Sequence, residues 1–127
     1  MEFKENTAIY LQIADYVSEN ILSGEWKTEH KIPSVRDLAI QLEVNPNTVM
    51  RSYDYLQNLE LIFNKRGMGF YVDVNAPERL KEIRKERFLK QELPAFYKKL
   101  KDMSIEIKDL EDGFEKFKQN LLNNKKD

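Results

Sequence analysis

Two short amphipathic segments separated by only three residues place the tightest constraint on the fold. The first begins after Ser34 and has apolar residues at the i, i+3, i+4, i+7 spacing of a helix. The second begins after Asn45 and Pro46. Asn45 can accept a hydrogen bond from a free backbone N–H group, and Pro46 suits a first helical position because its missing donor is not needed there. The pattern predicts a helix-turn-helix.

The second segment of this pair sorts its residues onto two faces. It is predicted to end near Asn58. Its apolar face carries Val49, Tyr53 and Leu56, and its polar face carries Asn47, Arg51, Asp54 and Asn58. The second helix of a helix-turn-helix offers its polar side to DNA, so we interpret this face as a DNA-reading surface.

A third helix and a hairpin are predicted around this pair. The segment from Ala8 to Ser23 has helical apolar spacing and is followed by Gly24 in a capping position. Two β-rich runs, 61–64 and 70–74, flank the loop KRGMG, whose glycines can supply positive φ. The order helix, helix, helix, hairpin is that of a winged helix, with Lys65 and Arg66 at the tip of the wing.

The remainder of the chain is predicted to be helical, with one apolar edge that needs a partner. Pro94 should kink or restart the helix and Ser104 could cap a new one, which predicts two or three helices; one continuous helix is the alternative. The edge residues, spaced alternately by four and three, are Leu89, Leu93, Phe96, Leu100, Met103, Ile107, Leu110, Phe114, Phe117 and Leu121. The expected fold is mainly α with a small β-hairpin: a winged helix-turn-helix domain, residues 1–75, then a helical dimerisation segment, residues 76–127.

Composition argues against an enzyme. The 127 residues contain no cysteine and one histidine, His30, which leaves little for metal binding or acid–base chemistry. The four glycines do not form a phosphate-binding loop or a nucleophile elbow. We therefore expect no catalytic residue, no metal and no cofactor. No apolar run approaches the ~20 residues of a membrane span, and the N-terminus lacks a signal-peptide pattern, so a cytoplasmic location is expected.

The net charge of −1 conceals an asymmetry. Residues 1–75 contain 7 Lys and Arg against 11 Asp and Glu, whereas residues 76–127 contain 14 against 11. A nucleic-acid-binding domain is usually basic, so the acidity of the first part argues against DNA binding unless its few basic residues are well placed.

The stretches IYLQIADYVSENILSGEW, KIPSVRDLAIQLEVNPNTVMRSYDYLQNLELI and KRGMGFYV closely resemble the winged helix of the GntR family of bacterial transcription regulators. The resemblance spans roughly residues 8–74. The 52 residues after position 75 are too few for the large effector domains of most such proteins. A short helical tail is similar to that of the YtrA subfamily, in which the tail makes the dimer.

The resemblance implies a set of DNA contacts. The family uses a tyrosine near a phosphate at the position of Tyr10, and an arginine contact at Arg36. The full set expected to bind DNA is Tyr10, Ser34, Arg36, Asn45, Asn47, Thr48, Arg51, Lys65, Arg66 and Gly67. The chain departs from the family where Glu29, Glu43 and Glu60 replace glycine, which predicts strained or altered turns there, and where Met68 replaces a frequent basic residue of the wing.

The resulting hypothesis is a sequence-specific transcription regulator, a repressor, that binds a pseudo-palindromic operator as a homodimer. The alternative is a winged helix used as a protein-interaction module without sequence-specific DNA binding. The sequence does not identify a small-molecule effector.

Overall fold

The computed structural model describes residues 1–125 and contains two compact units, residues 1–84 and 85–127. The elements of the first unit are helices α1 (Ile9–Ser23), α2 (Val35–Leu42) and α3 (Pro46–Asn58), followed by strands β1 (Ile62–Lys65) and β2 (Gly69–Val72). Helix α4 (Ala76–Arg87) follows them. The predicted fold class, mainly helical with one hairpin in winged-helix order, is confirmed.

The core of the first unit is assembled from one face of every element. Helix α1 contributes Ile13, Val17 and Ile21, which are almost fully buried, and α2 contributes Leu38. The apolar face of α3 packs against both of them, and Val72 of β2 closes the core. The helical positions among these belong to the apolar stripes of the sequence, which is why the helical periodicity located them correctly.

The hairpin is antiparallel and is extended by the linker between α1 and α2. Ile62 pairs with Val72, and Lys65 pairs with Gly69 at the turn. Lys31 then bridges to Tyr71 on the other side of β2, and the Ile32 N–H donates to the Phe70 carbonyl at 2.9 Å. The linker therefore adds a third, short extended segment beside the two strands of the wing. The sequence did not predict this pairing.

Three glutamates have left-handed backbones, as the departures from the family pattern suggested. The φ angles are 65° at Glu29, 58° at Glu43 and 59° at Glu60. Glu43 ends α2, and the Val44 N–H donates to the Ala39 carbonyl at 3.0 Å, which satisfies a carbonyl left free at the helix end. A left-handed residue with a side chain is strained, so each of these turns costs stability relative to glycine.

The first compact unit extends beyond residue 75. Ala76 and Leu80 of α4 are buried in its core. The Arg79 side chain also donates to the Glu60 carbonyl at 2.7 Å and to the Asp73 carboxylate at 2.8 Å. The start of α4 is thus packed and hydrogen-bonded to the first unit. The assignment of DNA binding to residues 1–75 and dimerisation to residues 76–127 remains a prediction.

The second unit is broken into helices, in agreement with the expectation of several helices. A π-helical turn, Phe88–Glu92, leads into α5 (Leu93–Asp102), and α6 (Ile107–Lys125) follows. Pro94 occupies the first turn of α5, where its missing N–H is tolerated. The Leu93 N–H donates to the Phe88 carbonyl, five residues back. This π-helical turn accommodates Pro94, which has no N–H group to donate.

The capping role predicted for Ser104 is wrong. Ser104 has a φ of 56° and ends α5, because its N–H donates to the Lys101 carbonyl at 3.1 Å and the Ile105 N–H donates to the Leu100 carbonyl at 2.9 Å. The start of α6 is stabilised instead by Asp109, whose carboxylate accepts from the Glu106 N–H at 2.9 Å. The continuous-helix alternative is excluded by this break.

Most of the predicted apolar edge is exposed in the second unit. Phe114 and Phe117 of α6 each retain 60% of their accessible surface. Leu100 is buried, and Leu93 and Leu110 are half-buried. The exposed members are Leu89, Phe96, Met103, Ile107, Phe114, Phe117 and Leu121, which we call the apolar face of the tail.

Candidate nucleic-acid interface

Helix α3 has the two faces that the sequence predicted. Val49, Tyr53 and Leu56 are at most 1% exposed, while the polar side chains at 47, 51, 54 and 58 are exposed. The Tyr53 hydroxyl donates to the Pro33 carbonyl at 2.7 Å and so ties α3 to the start of α2. Burial raises the pKa of this phenol, which keeps it neutral and able to donate.

The N-terminus of α3 is capped by its own residues. The Asn45 side-chain oxygen accepts from the Asn47 N–H at 2.8 Å, and the Asn45 carbonyl accepts from the Thr48 N–H at 3.0 Å. The asparagine therefore has a structural role that is independent of DNA. The exposed Asn47 side chain lies in the first turn, close to the positive end of the helix dipole.

Helix α2 begins with a second capped turn. The Ser34 hydroxyl accepts from the Asp37 N–H at 3.0 Å, as the spacing of these residues predicts. Arg36 lies in this first turn and is exposed. Among residues 1–125, no carboxylate lies within ion-pair distance of Arg36, so its charge is available to an external anion.

Tyr10 and Arg51 are brought into contact across the α1–α3 interface. The Arg51 guanidinium carbon lies over the Tyr10 ring, 3.9 Å from its centroid. These two residues line an open surface depression of about 400 Å³. Its other lining residues are Ala8, Ile9, Asn47 and Thr48. Four of the residues predicted to bind DNA thus lie around one concavity, three of them on α3 and Tyr10 on α1.

The wing carries its own basic group. A tight turn holds Arg66 at the tip, where the Met68 N–H donates to the Lys65 carbonyl at 2.8 Å and Gly67 has a φ of 77°. A positive φ at this position favours glycine, which gives Gly67 a structural role in the turn. The Lys65 ammonium lies 4.5 Å from the centroid of the Tyr71 ring. Arg66 is exposed, and its position at the tip is as predicted.

Lys31 is a further basic residue at the wing that sequence reasoning missed. Its side chain lies across Gly69, so close that a Cβ at residue 69 would come within 2.9 Å of the Lys31 Cε atom. Gly69 also has a φ of 101°, a backbone conformation that disfavours any residue with a side chain there. Only the pairing of the linker with β2 brings Lys31 to the wing, and the linker has no strand pattern that would have indicated it.

The described residues show no site of another kind. No group of three His, Asp or Glu side chains able to hold a metal ion occurs within the described part of the chain. No helix described by the structure has the length and apolar character needed to cross a membrane.

Comparison with known proteins gives a consistent result. The family model "Bacterial regulatory proteins, gntR family" matches residues 9–72. The HTH-type transcriptional regulator YhcF of Bacillus subtilis (strain 168) is 33% identical over 91% of this chain and 94% of its own length. The HTH-type transcriptional repressor YtrA of the same organism is 40% identical, over 62% of this chain and 61% of its own length.

A solved structure agrees over almost the whole chain. It is the crystal structure of a transcriptional regulator of the GntR family from Bacteroides thetaiotaomicron, with a TM-score of 0.80 and 47% identity. The match covers 90% of this chain and 99% of that one. Together with the winged helix and the exposed polar face of α3, these matches show that the chain belongs to the GntR family: it is a transcription regulator with a DNA-binding domain, and not an enzyme.

Proposed function

We propose that the protein is a repressor that binds a pseudo-palindromic operator as a homodimer and reads its sequence through α3. The observation that carries this proposal is the exposed face of α3, where Asn47 and Arg51 lie one turn apart and border an open depression. A polar face at the N-terminal half of a recognition helix reaches base edges and phosphates in the major groove.

Arg51 has the chemistry required for sequence discrimination. Among the residues that the structure describes, no carboxylate lies within 4.0 Å of its guanidinium, so its charge is not already paired. A bidentate arginine contact to guanine discriminates by ~1–3 kcal/mol against the wrong base. Asn47 is exposed on the same face, and asparagine is suited to adenine or to a phosphate.

The wing supplies affinity with less sequence information. Lys65 and Arg66 are exposed at its tip, where phosphate and minor-groove contacts are expected. Arg36 at the start of α2 adds a further phosphate contact beside the first helical turn. These few well-placed cations offset the acidic balance of the first 75 residues, because the potential at the contact surface matters more than the net charge.

The apolar face of the tail supports the dimer. Phe114, Phe117 and Leu121 lie along one side of α6 and are exposed. Four charged side chains of α6 form two ion pairs within the helix: Lys116 with Asp112 at 3.1 Å, and Lys118 with Glu115 at 2.8 Å. The apolar face of the tail is exposed, and the tail has too few other elements to bury it. A second copy of the tail can cover this face in a homodimer.

Dimerisation determines the expected operator and the regulatory output. Two recognition helices related by a twofold axis fit successive major grooves about 34–36 Å apart, which requires a pseudo-palindromic site. Occupation of such a site in a promoter blocks polymerase, and the similarity to YtrA, which is named a repressor, supports this output. The cytoplasm, where the bacterial chromosome lies, is the proposed location.

The test compares two arginines that have different proposed roles. A duplex selected from a random library by the wild-type protein serves as the operator, and a scrambled duplex of the same composition serves as the reference. Arg51→Ala should lower operator affinity more than scrambled affinity, by ~1–3 kcal/mol in specificity for each recognition helix. Arg66→Ala should weaken both and flatten the logarithmic salt slope by about one unit or less.

The matched control is Arg87→Ala, which removes the same charge from an exposed position at the end of α4. It should leave the specificity ratio at the wild-type value. If Arg51→Ala binds the operator as tightly as the wild type does, α3 is not the reader.

A second candidate function is a protein-interaction module without sequence-specific DNA binding. The excess of acidic residues in the first 75 positions, 11 against 7 basic ones, favours it. A salt titration separates the two, because a DNA reader loses affinity steeply with rising salt and prefers one sequence. Weak, sequence-independent binding at low salt would support the interaction module.

A further inference from the structure

Both the backbone and the ring of Tyr10 contact α3. The Ser52 hydroxyl donates to the Tyr10 carbonyl at 2.7 Å, which fixes the backbone at the start of α1. The Tyr55 ring meets the Tyr10 ring edge to face, with centroids 6.2 Å apart and planes at 78°. With its backbone and ring both restrained, the half-buried Tyr10 is a fixed platform at the edge of the depression.

Arg51 rests on this platform. Its guanidinium carbon is 3.9 Å from the ring centroid, well within the range of a favourable cation–π contact. A cation held over a ring face makes no hydrogen bond to the ring, so its N–H donors remain available to an acceptor on DNA. No competing carboxylate pairs with it among residues 1–125.

We propose that Tyr10 is a positioning residue for Arg51: its ring restricts the arginine to the orientation in which it reads a base, before DNA arrives. The proposal rests on the function of α3 given above and adds a residue from another helix to its specificity. A free arginine on a helix surface samples many rotamers and must lose that freedom on binding. Because the ring already restricts Arg51 in the free protein, less side-chain entropy is lost when DNA binds, which is the general advantage of preorganisation.

The proposal assigns the positioning of Arg51 to the ring of Tyr10 and not to its hydroxyl. Tyr10→Phe keeps the ring face and should retain Arg51 in place, whereas Tyr10→Leu keeps apolar volume against Tyr55 but removes the ring. Loss of an exposed cation–π contact should reduce the preference for the operator by a factor of about 2 to 5 for each recognition helix. A dimer with two such helices should therefore lose about 4- to 25-fold in operator preference in Tyr10→Leu.

The experiment is a double-mutant cycle in the full chain, with wild type, Tyr10→Leu, Arg51→Ala and the double variant, plus Tyr10→Phe as the ring-retaining control. Affinities for the selected operator and its scrambled duplex give the specificity ratio of each variant. Circular dichroism checks that each variant is folded at the temperature used. In parallel, the side-chain proton shifts of Arg51 are measured by NMR without DNA, since protons over a ring face move upfield.

The expected result has three parts. Tyr10→Leu loses operator preference, Tyr10→Phe retains most of it, and the Tyr10→Leu effect vanishes when Arg51 is already alanine. The Arg51 protons are shifted upfield in the wild type and in Tyr10→Phe, and lose that shift in Tyr10→Leu.

Two contrary results are distinguishable. If Arg51→Ala reduces specificity but the effect of Tyr10→Leu is unchanged in the double variant, or if Tyr10→Phe is as impaired as Tyr10→Leu, the positioning role is overturned while the function of α3 stands. If Arg51→Ala leaves specificity unchanged, both the reader assignment and the positioning role are overturned.

Discussion

The two compact units use the same kind of sequence pattern and reach opposite results. In residues 1–84, the apolar stripes of α1, α2 and α3 are buried against one another and against the hairpin. In the described part of residues 85–127, an equally regular edge remains mostly exposed, with Phe114 and Phe117 each at 60%. The difference lies in what surrounds each stripe and not in the stripe itself.

This comparison shows what apolar periodicity means physically. A stripe at helical spacing identifies the side of a helix that gains free energy when it is removed from water. It does not identify the element that covers that side. In the first unit, the covering elements lie on the same chain, whereas the proposed cover for the tail is a second chain.

The largest expected effect tests whether a second copy covers the tail. Phe117→Glu places a charge on the apolar face and should convert the proposed dimer to a monomer. A monomer loses the second half-site, so operator affinity should fall by about 10²–10⁴-fold. Sedimentation velocity gives the mass, and an operator titration gives the affinity.

The control for this change is Gln119→Glu, which introduces the same side chain at an exposed polar position two residues away. It should sediment and bind as the wild type does. An unchanged mass for Phe117→Glu would show that the tail is not the dimer contact.

A second comparison applies one substitution to both units. Leu56→Ala removes a side chain that is 1% exposed and should destabilise the first unit by about 2–5 kcal/mol at any protein concentration. Leu121→Ala removes an exposed side chain and should instead weaken association.

Urea unfolding followed by Trp26 fluorescence reports on the first unit, because Trp26 is the single tryptophan and its ring lies 6.2 Å from that of Tyr16. The Leu56→Ala midpoint should not depend on protein concentration. A large loss of Trp26-monitored stability in Leu121→Ala would contradict the separation of the two units.

A third prediction concerns backbone strain in each unit. Glu43→Gly should stabilise the first unit by about 1 kcal/mol, because glycine adopts the observed φ of 58° without a steric penalty. Ser104→Gly should have the same sign in the second unit, where φ is 56°. Thermal unfolding by circular dichroism measures both.

The matched control is Glu82→Gly, the same change at an exposed position inside α4. There glycine should destabilise by about 1 kcal/mol, because it loses more backbone entropy in a helix. Equal signs for Glu43→Gly and Glu82→Gly would show that the left-handed turn is not strained.

The smallest expected effect concerns Lys31 at the wing. Lys31→Ala should weaken operator and scrambled duplex alike and flatten the logarithmic salt slope by about one unit or less, as expected for one phosphate contact. Lys27→Ala, in the same linker but outside the bridge to β2, should leave the slope unchanged. Equal slopes for wild type and Lys31→Ala would exclude Lys31 from the contact surface.

Local signals were sufficient for most of the fold and for part of the site. Asn45 and Pro46 located the start of α3, and the glycines at 67 and 69 located the wing turn, because caps and positive φ are properties of a few consecutive residues. The strain at Glu43 followed from the resemblance to the family, which usually has glycine at that position. The prediction that Ser104 caps a new helix was wrong because serine is compatible with either end of a helix. Only the hydrogen bonds at that turn show that Ser104 ends α5.

By itself, the sequence determined which residues form α1, α2 and α3, which side of each of these helices is apolar, and that the polar side of α3 is exposed. These follow from periodicity and capping, which depend on neighbours along the chain. Only the tertiary structure decided that Tyr10 lies beneath Arg51 and that Lys31 joins the wing over Gly69. Those contacts join residues about 40 positions apart. Their geometry depends on how α1, α3 and the linker pack, and a local sequence pattern contains no information about that packing.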